Sequence, residues 1–135
     1  MEYKSVFSII GPIMVGPSSS HTAGALEIAK YGRKLFKKQP KKVVITLYNS
    51  FAKTYKGHGT DVALVGGLLD FETDDLRIPN AFKYADETEM EIEFKLEENI
   101  ALHPNTVKLH LSDAKKNIEV IGVSIGGGSF KIIKE

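Results

Sequence analysis

The hydropathy rhythm of this chain changes once, near residue 90, and that change limits the folds open to it. Before it, apolar residues recur at helical spacing. Ala25, Ile28, Ala29, Gly32, Leu35 and Phe36 follow the i, i+3, i+4 rule, with Glu27, Lys30, Lys34, Lys37 and Lys38 on the other side. The spacing predicts an amphipathic helix of about four turns, ending before Pro40. After the change, Met90, Ile92, Phe94 and Leu96 alternate with Glu89, Glu91, Glu93 and Lys95, and Val107, Leu109 and Leu111 alternate with Lys108 and His110. Period two with one apolar side describes strands covered on one face, the usual mark of antiparallel pairing.

Other segments fill in the frame. Val43 to Tyr48 is β-branched and nearly continuous, which suits a strand covered on both faces. Val62 to Leu69 is apolar almost all round, so it predicts a buried helix that Thr60 or Asp61 could cap. Ile78 to Ala85 reads as a short third helix with Pro79 in its first turn. Ile118 to Ile125 is another strand, and the run Gly126-Gly127-Gly128 before Phe130 to Ile133 reads as a hairpin turn. Helices first and meander strands later predict an α/β fold of the α+β type, helices packed on a mixed, largely antiparallel sheet. They argue against a doubly wound sheet. At 135 residues the chain reads as one domain, 1–135.

Composition narrows the chemistry. With 42% hydrophobic and 26% charged residues the chain is an ordinary globular one. Lys and Arg number 18 against 17 acids, which gives no support for nucleic acid as a partner. The Lys-rich run from Lys34 to Lys42 reads as a solvated helix end, where cations suit the dipole. There is no cysteine, so this chain forms no disulfide, offers no thiol nucleophile and ligates no iron–sulfur cluster through thiolate. That absence fits the cytoplasm. The apolar start from Ser5 to Val15 has no basic flank, is interrupted by Gly11-Pro12 and is too short to span a bilayer, so it reads as a buried strand or loop, with no membrane role.

Two turns concentrate groups that do chemistry. In Gly16-Pro17-Ser18-Ser19-Ser20-His21-Thr22-Ala23-Gly24, four hydroxyls and an imidazole precede the first helix; in Gly57-His58-Gly59-Thr60-Asp61, a histidine between glycines precedes the second. A helix start offers free N–H groups and a positive dipole end, which suit a carboxylate or phosphate. Hydroxyls beyond the cap can bind an anion further, and a histidine there can carry a proton near neutral pH. Each turn alone also describes a plain capped helix; the pair is more than folding needs. A third stretch, His103-Pro104-Asn105-Thr106, precedes a strand, with Pro104 favouring an extended or turn conformation at His103. His110 falls on the wet side of its strand. A hydrolase triad of Ser20, His58 and Asp61 lacks the G-x-S-x-G elbow, and no Gly-Lys-Ser/Thr of a phosphate loop occurs. A histidine-only metal site has no supporting spacing.

The Ser-rich stretch, Gly57 to Asp61, His103-Pro104-Asn105 and Ser124-Ile125-Gly126-Gly127-Gly128 together resemble, in this order, the motifs of the β subunit or β domain of iron–sulfur-dependent L-serine dehydratases. The resemblance runs over essentially the whole chain. It implies a fold similar to the intervening anion-binding domain of some D-3-phosphoglycerate dehydrogenases. It also implies α,β-elimination of L-serine to pyruvate and ammonia without pyridoxal phosphate. In that family a [4Fe–4S] cluster presents one iron as a Lewis acid to the substrate hydroxyl. Since this chain has no cysteine, the resemblance puts the cluster on a partner α subunit. His58 would then be the proton-handling residue and His21 the second candidate. Ser18, Ser19, Ser20 and Thr22 would bind the carboxylate, Thr60 would orient His58 or the substrate, and His103 and Asn105 would be weaker binding groups. The family's β chain often carries an ACT-type ligand-binding domain, which is not expected within residues 1–135. The alternative is a serine- or anion-binding regulatory module without chemistry of its own. Self-association of the isolated chain is a further expectation.

Overall fold

The structure is a computed structural model that describes residues 19–56 and 59–135, and the side chains of 21–56 and 59–135. The segment from Ser5 to Val15, Ser18 and the turn residues Gly57 and His58 lie outside the described residues.

The first helix, α1 (Ser19–Phe36), starts earlier than its apolar stripe. Ser19, Ser20, His21 and Thr22 therefore lie in the first helical turn rather than in a loop before it. The N–H groups of a first turn have no partners inside the helix, which is why small hydroxyl residues are at home there. At the other end Lys37 takes a positive φ of 74° and donates its N–H to Arg33 O at 3.1 Å, closing the helix before Pro40. The expected stripe holds for Ala25, Ile28, Ala29 and Phe36, all fully buried. Lys30 departs from it. It is 5% exposed, and its Nζ donates to Glu72 Oε2 at 2.6 Å with Asp70 Oδ1 at 3.7 Å. The reason is a second covered flank: a helix packs beside α1 as well as a sheet beneath it.

After β1 (Lys42–Tyr48) come α2 (Ser50–Thr54), α3 (Thr60–Leu68), a 3-10 turn (Ile78–Asn80) carrying Pro79, and α4 (Ala81–Glu87). The expected third helix is thus a 3-10 turn running into an α-helix. No side chain caps α3. Gly59, in the left-handed region at φ 76°, is its N-cap, and the N–H groups of Thr60 and Asp61 both donate to Tyr55 O. The Asp61 carboxylate accepts the Val62 N–H at 2.8 Å. Helix α3 packs tightly on α1, where a Cβ on Gly67 would lie 2.3 Å from Leu26 O.

The sheet runs β2-β1-β3-β4-β5, with β2 (Glu91–Glu97), β3 (Thr106–Ser112), β4 (Asn117–Gly126) and β5 (Ser129–Lys134). β3, β4 and β5 form the expected antiparallel meander, and β3 also pairs antiparallel with β1. β2 corrects the expectation: it lies parallel to β1, from Lys42 opposite Glu91 to Tyr48 opposite Glu97. Alternation reports that one face is covered, whatever the direction of the neighbour. The direction follows from the connection, since a crossover through three helices returns the chain to the starting end. The architecture is α/β, helices on a five-stranded mixed sheet.

The core lies between the helices and one sheet face. Val43, Ile45, Leu47, Leu109 and Leu111 are fully buried with Ala25, Ile28, Leu64 and Val65 from the helices. The opposite face of β1 carries Lys42, Val44 and Thr46, which line a groove of about 410 Å³ with Lys95, Lys108, His110 and Glu119. The reading of β1 as covered on both faces therefore holds for its helix side, while the other side borders this groove.

Candidate functional site

Strand register sorts the molecule into two ends. Tyr48, Thr106 and Ser124 lie at one end of β1, β3 and β4, and Lys42, Ser112 and Asn117 lie at the other. Helix α1 begins at the first end, where Gly24 meets Ser124, and finishes at the second, where Phe36 O accepts a hydrogen bond from Lys116 Nζ. Helix α3 runs the same way: it starts beside Tyr55, just after α2, and Leu68 O near its finish accepts from Gln39 Nε2, beyond the end of α1. The starts of both helices, the His103 turn and the glycine hairpin thus share one end of the fold.

Within that end, three of the four sequence motifs touch. The His21 ring is half-buried, with Nδ1 2.9 Å from Ser124 Oγ and Nε2 3.5 Å from Asn105 Nδ2. The Ser124 N–H donates to Asn105 O at 3.0 Å, so the end of β4 grips both the ring and the turn. A Cβ on Gly24 would stand 2.4 Å from Ser124 Oγ. Only a glycine lets α1 approach that hydroxyl. The hairpin turn is Gly127-Gly128, with φ of 65° and 79° and Gly126 paired to Ser129. Positive φ at both central residues is what a type I′ hairpin demands, as expected from the glycine run.

The His103 turn is built from outside as well. Asn49, at φ 56° just past β1, donates through Nδ2 to the carbonyls of Asn99 and Leu102 at 3.0 and 3.1 Å, and its Oδ1 accepts the Asn99 N–H at 2.9 Å. Thr106 Oγ1 donates to His103 O at 2.7 Å, and His103 Nδ1 accepts the Asn105 N–H at 3.0 Å. His103 itself is exposed. Burial lowers the His21 pKa from its ordinary value, and the nearby His103 charge lowers it further. At neutral pH the ring is therefore neutral, with one nitrogen able to accept a proton.

The other expected residues sort by depth. Thr22 is fully buried and Thr60 is 2% exposed, so in this chain both lie beneath the surface. His21, His103 and Asn105 are the described members that reach solvent. Ser18 and His58 lie outside the described residues, as do the side chains of Ser19 and Ser20. Asn49 and Ser124 are structural partners that residue patterns did not single out. A lone asparagine after a strand and a small polar residue on a period-two strand carry no sequence signal; the only hint for Ser124 was its place in the fourth motif.

Among the described residues the donor set does not suit a metal centre. The chain has no cysteine, and among the described residues no three or more His, Asp or Glu side chains are grouped as metal ligands. No described helix is long and apolar enough to cross a membrane.

Comparison with known proteins shows the family. Residues 5–91 match the family described as serine dehydratase beta chain. The chain is 54% identical over 132 residues to a probable L-serine dehydratase beta chain of Bacillus subtilis, covering 98% of this chain and 60% of the relative. It is 49% identical to the L-serine dehydratase beta chain of Peptoniphilus asaccharolyticus, covering 96% of this chain and 59% of that one. L-serine dehydratase 2 of Escherichia coli is 30% identical over 92% of this chain and 32% of its own length. The chain thus spans about three fifths of the two beta chains it matches. It belongs to the serine dehydratase beta chain family.

Proposed function

We propose that this chain is the β part of an L-serine dehydratase, converting L-serine to pyruvate and ammonia in the cytoplasm together with an α subunit. The observation that carries this reading is its 54% identity, over 98% of its length, to a probable L-serine dehydratase beta chain. The convergence of the His21, Asn105 and Ser124 motifs at one end of the fold supports it. An iron–sulfur cluster does not fit within this chain, which has no thiolate to give it; the partner would hold it. This chain's share is to bind the substrate and move its proton.

The start of α1 receives the serine carboxylate. Ser18, Ser19 and Ser20 donate hydroxyl hydrogen bonds there, beside the positive end of an 18-residue helix. Asn105 and His103 border the same place, Thr22 adds to the carboxylate set from the buried side of α1, and Thr60 orients His58 or the substrate. His58 takes the Cα proton, with His21 as the second candidate. The Cβ hydroxyl leaves with a proton as water, and the aminoacrylate formed tautomerises to an imine. Water then hydrolyses that imine to pyruvate and ammonia.

The test is assembly. Mixed anaerobically with its α chain, this chain should release pyruvate from L-serine, and His58→Ala should lose most of that turnover with the cluster's absorption unchanged. Pyruvate formed equally fast by the α chain alone would make this chain a serine- or anion-binding regulator instead.

A further inference from the structure

The contact between His21 and Ser124 joins the first sequence motif to the fourth, 103 positions apart. Three features make it more than a packing accident. Ser124 is fully buried, so its hydroxyl needs partners within the protein. Gly24 leaves the gap that the hydroxyl occupies. The Ser124 backbone N–H holds Asn105, whose amide faces the other ring nitrogen of His21.

Donor and acceptor roles then close on one arrangement. Asn105 Nδ2 carries hydrogens and cannot accept, so a hydrogen bond from it to His21 Nε2 requires that nitrogen to be unprotonated. In that arrangement the ring proton is on Nδ1, facing Ser124 Oγ 2.9 Å away. A hydroxyl is well suited to take it, since it accepts without adding charge. The Nε2 contact is the longer of the two at 3.5 Å, and so the one that can be exchanged for a reacting group.

We propose that Ser124 is a positioning residue: it holds His21 as the Nδ1-protonated tautomer and leaves Nε2 as the atom through which this ring exchanges protons. Asn105, tied to the same serine, marks where Nε2 points. Gly24 belongs to the same device, because any larger residue would push α1 off the hydroxyl. The role in turnover rests on the reading of this chain as part of an L-serine dehydratase; the tautomer does not.

The experiment therefore has two arms. In the chain with ¹⁵N-labelled histidine, long-range proton–nitrogen correlation spectra should show His21 with a protonated Nδ1 and a bare Nε2. In Ser124→Ala that pattern should give way to the Nε2-protonated form common in free histidine. Gly24→Ala, which keeps the hydroxyl but displaces it, should do the same. Methyl signals of Leu109 and Val120 report that each variant is folded. In the second arm, the anaerobic complex with the α chain should lose about ten-fold in kcat in Ser124→Ala with KM changed less than two-fold, less than the ~100-fold minimum for removing a proton-transferring group because the ring itself remains. An Nε2-protonated ring in the unmodified chain overturns the proposal. So does an unchanged tautomer in folded Ser124→Ala, or an unchanged kcat beside a changed tautomer. No pyruvate from the unmodified complex sinks the enzymatic reading instead, and the spectra still decide the tautomer.

Discussion

Two histidines sit against this sheet in contrasting surroundings. His21 is wedged at the end where α1 meets β4, bonded at one ring nitrogen to a buried serine and facing an asparagine amide at the other. His110 stands in the middle of the opposite sheet face, in a groove with Lys42, Lys95, Lys108 and Glu119. Its cross-strand neighbours are Val44 and Glu119. The residue type is the same and so is the strand scaffold. What differs is that one ring is oriented by fixed partners, whereas the other is surrounded by charged side chains. Orientation is what proton transfer needs, and it favours the helix-covered end for the chemistry proposed above.

The largest effect should come from the packing that makes that end rigid. Gly67→Ala places a Cβ 2.3 Å from Leu26 O in the α1–α3 contact, and should cost about 3 kcal/mol of unfolding free energy in urea titration. Lys108→Ala in the groove should cost less than about 0.5 kcal/mol in the same titration. Equal losses from the two would dissolve the contrast between a close-packed face and an open one.

Next in size is the division of chemistry. His21→Ala, assembled with the α chain, should lower turnover of L-serine about 100-fold, within the range of general acid–base catalysis. His110→Ala should stay within about two-fold, as a surface change away from the chemistry does. A reversed result would move the site to the groove.

A smaller effect should appear in stability against pH. The His21 pKa is lowered in the folded chain by burial and then by His103, so folding disfavours its proton. Its contribution is fully present above the ordinary histidine value and is lost as pH falls below it. Urea midpoints should therefore drop between about pH 7.5 and 5.5, and His21→Gln should flatten that slope. Glu27 and Asp61 act at lower pH and with the opposite sign, since burial raises both. A slope untouched by His21→Gln would show that folding does not disfavour the proton on this ring.

The smallest effect tests the groove itself. Thr46→Val on its floor replaces a 3% exposed hydroxyl by a methyl of the same shape and should change stability by less than about 1 kcal/mol. A larger loss would mean that the groove floor is as tightly specified as the helix-covered side.

Much of the fold could be read directly. The stripe of α1, the buried α3 and the meander of β3 to β5 follow from local periodicity, because side-chain spacing and burial are tied along one element. Lys30 could not be read that way: a lysine on the polar side of a stripe looks solvated until a second helix, and the acids Asp70 and Glu72 in the loop after it, cover it. The direction of β2 was hidden for a related reason, since a covered face looks alike beside a parallel or an antiparallel neighbour. At the candidate site, His21, His103 and Asn105 stood out by residue type and turn context. Ser124 and Asn49 did not, as their partners are far away in the chain.

The amino-acid sequence by itself determined the element types, the glycine hairpin, the absence of any thiolate ligand and the set of hydroxyl- and histidine-bearing turns. These are local properties, set by residue chemistry and by spacing within one element. Tertiary structure alone decided which turns share an end of the molecule and which ring nitrogen meets Ser124 or Asn105. It also decided that Gly24 and Gly67 are glycines because another backbone or hydroxyl stands where a Cβ would be. Contacts between distant segments depend on register and crossover direction, and these arise only when the elements pack together.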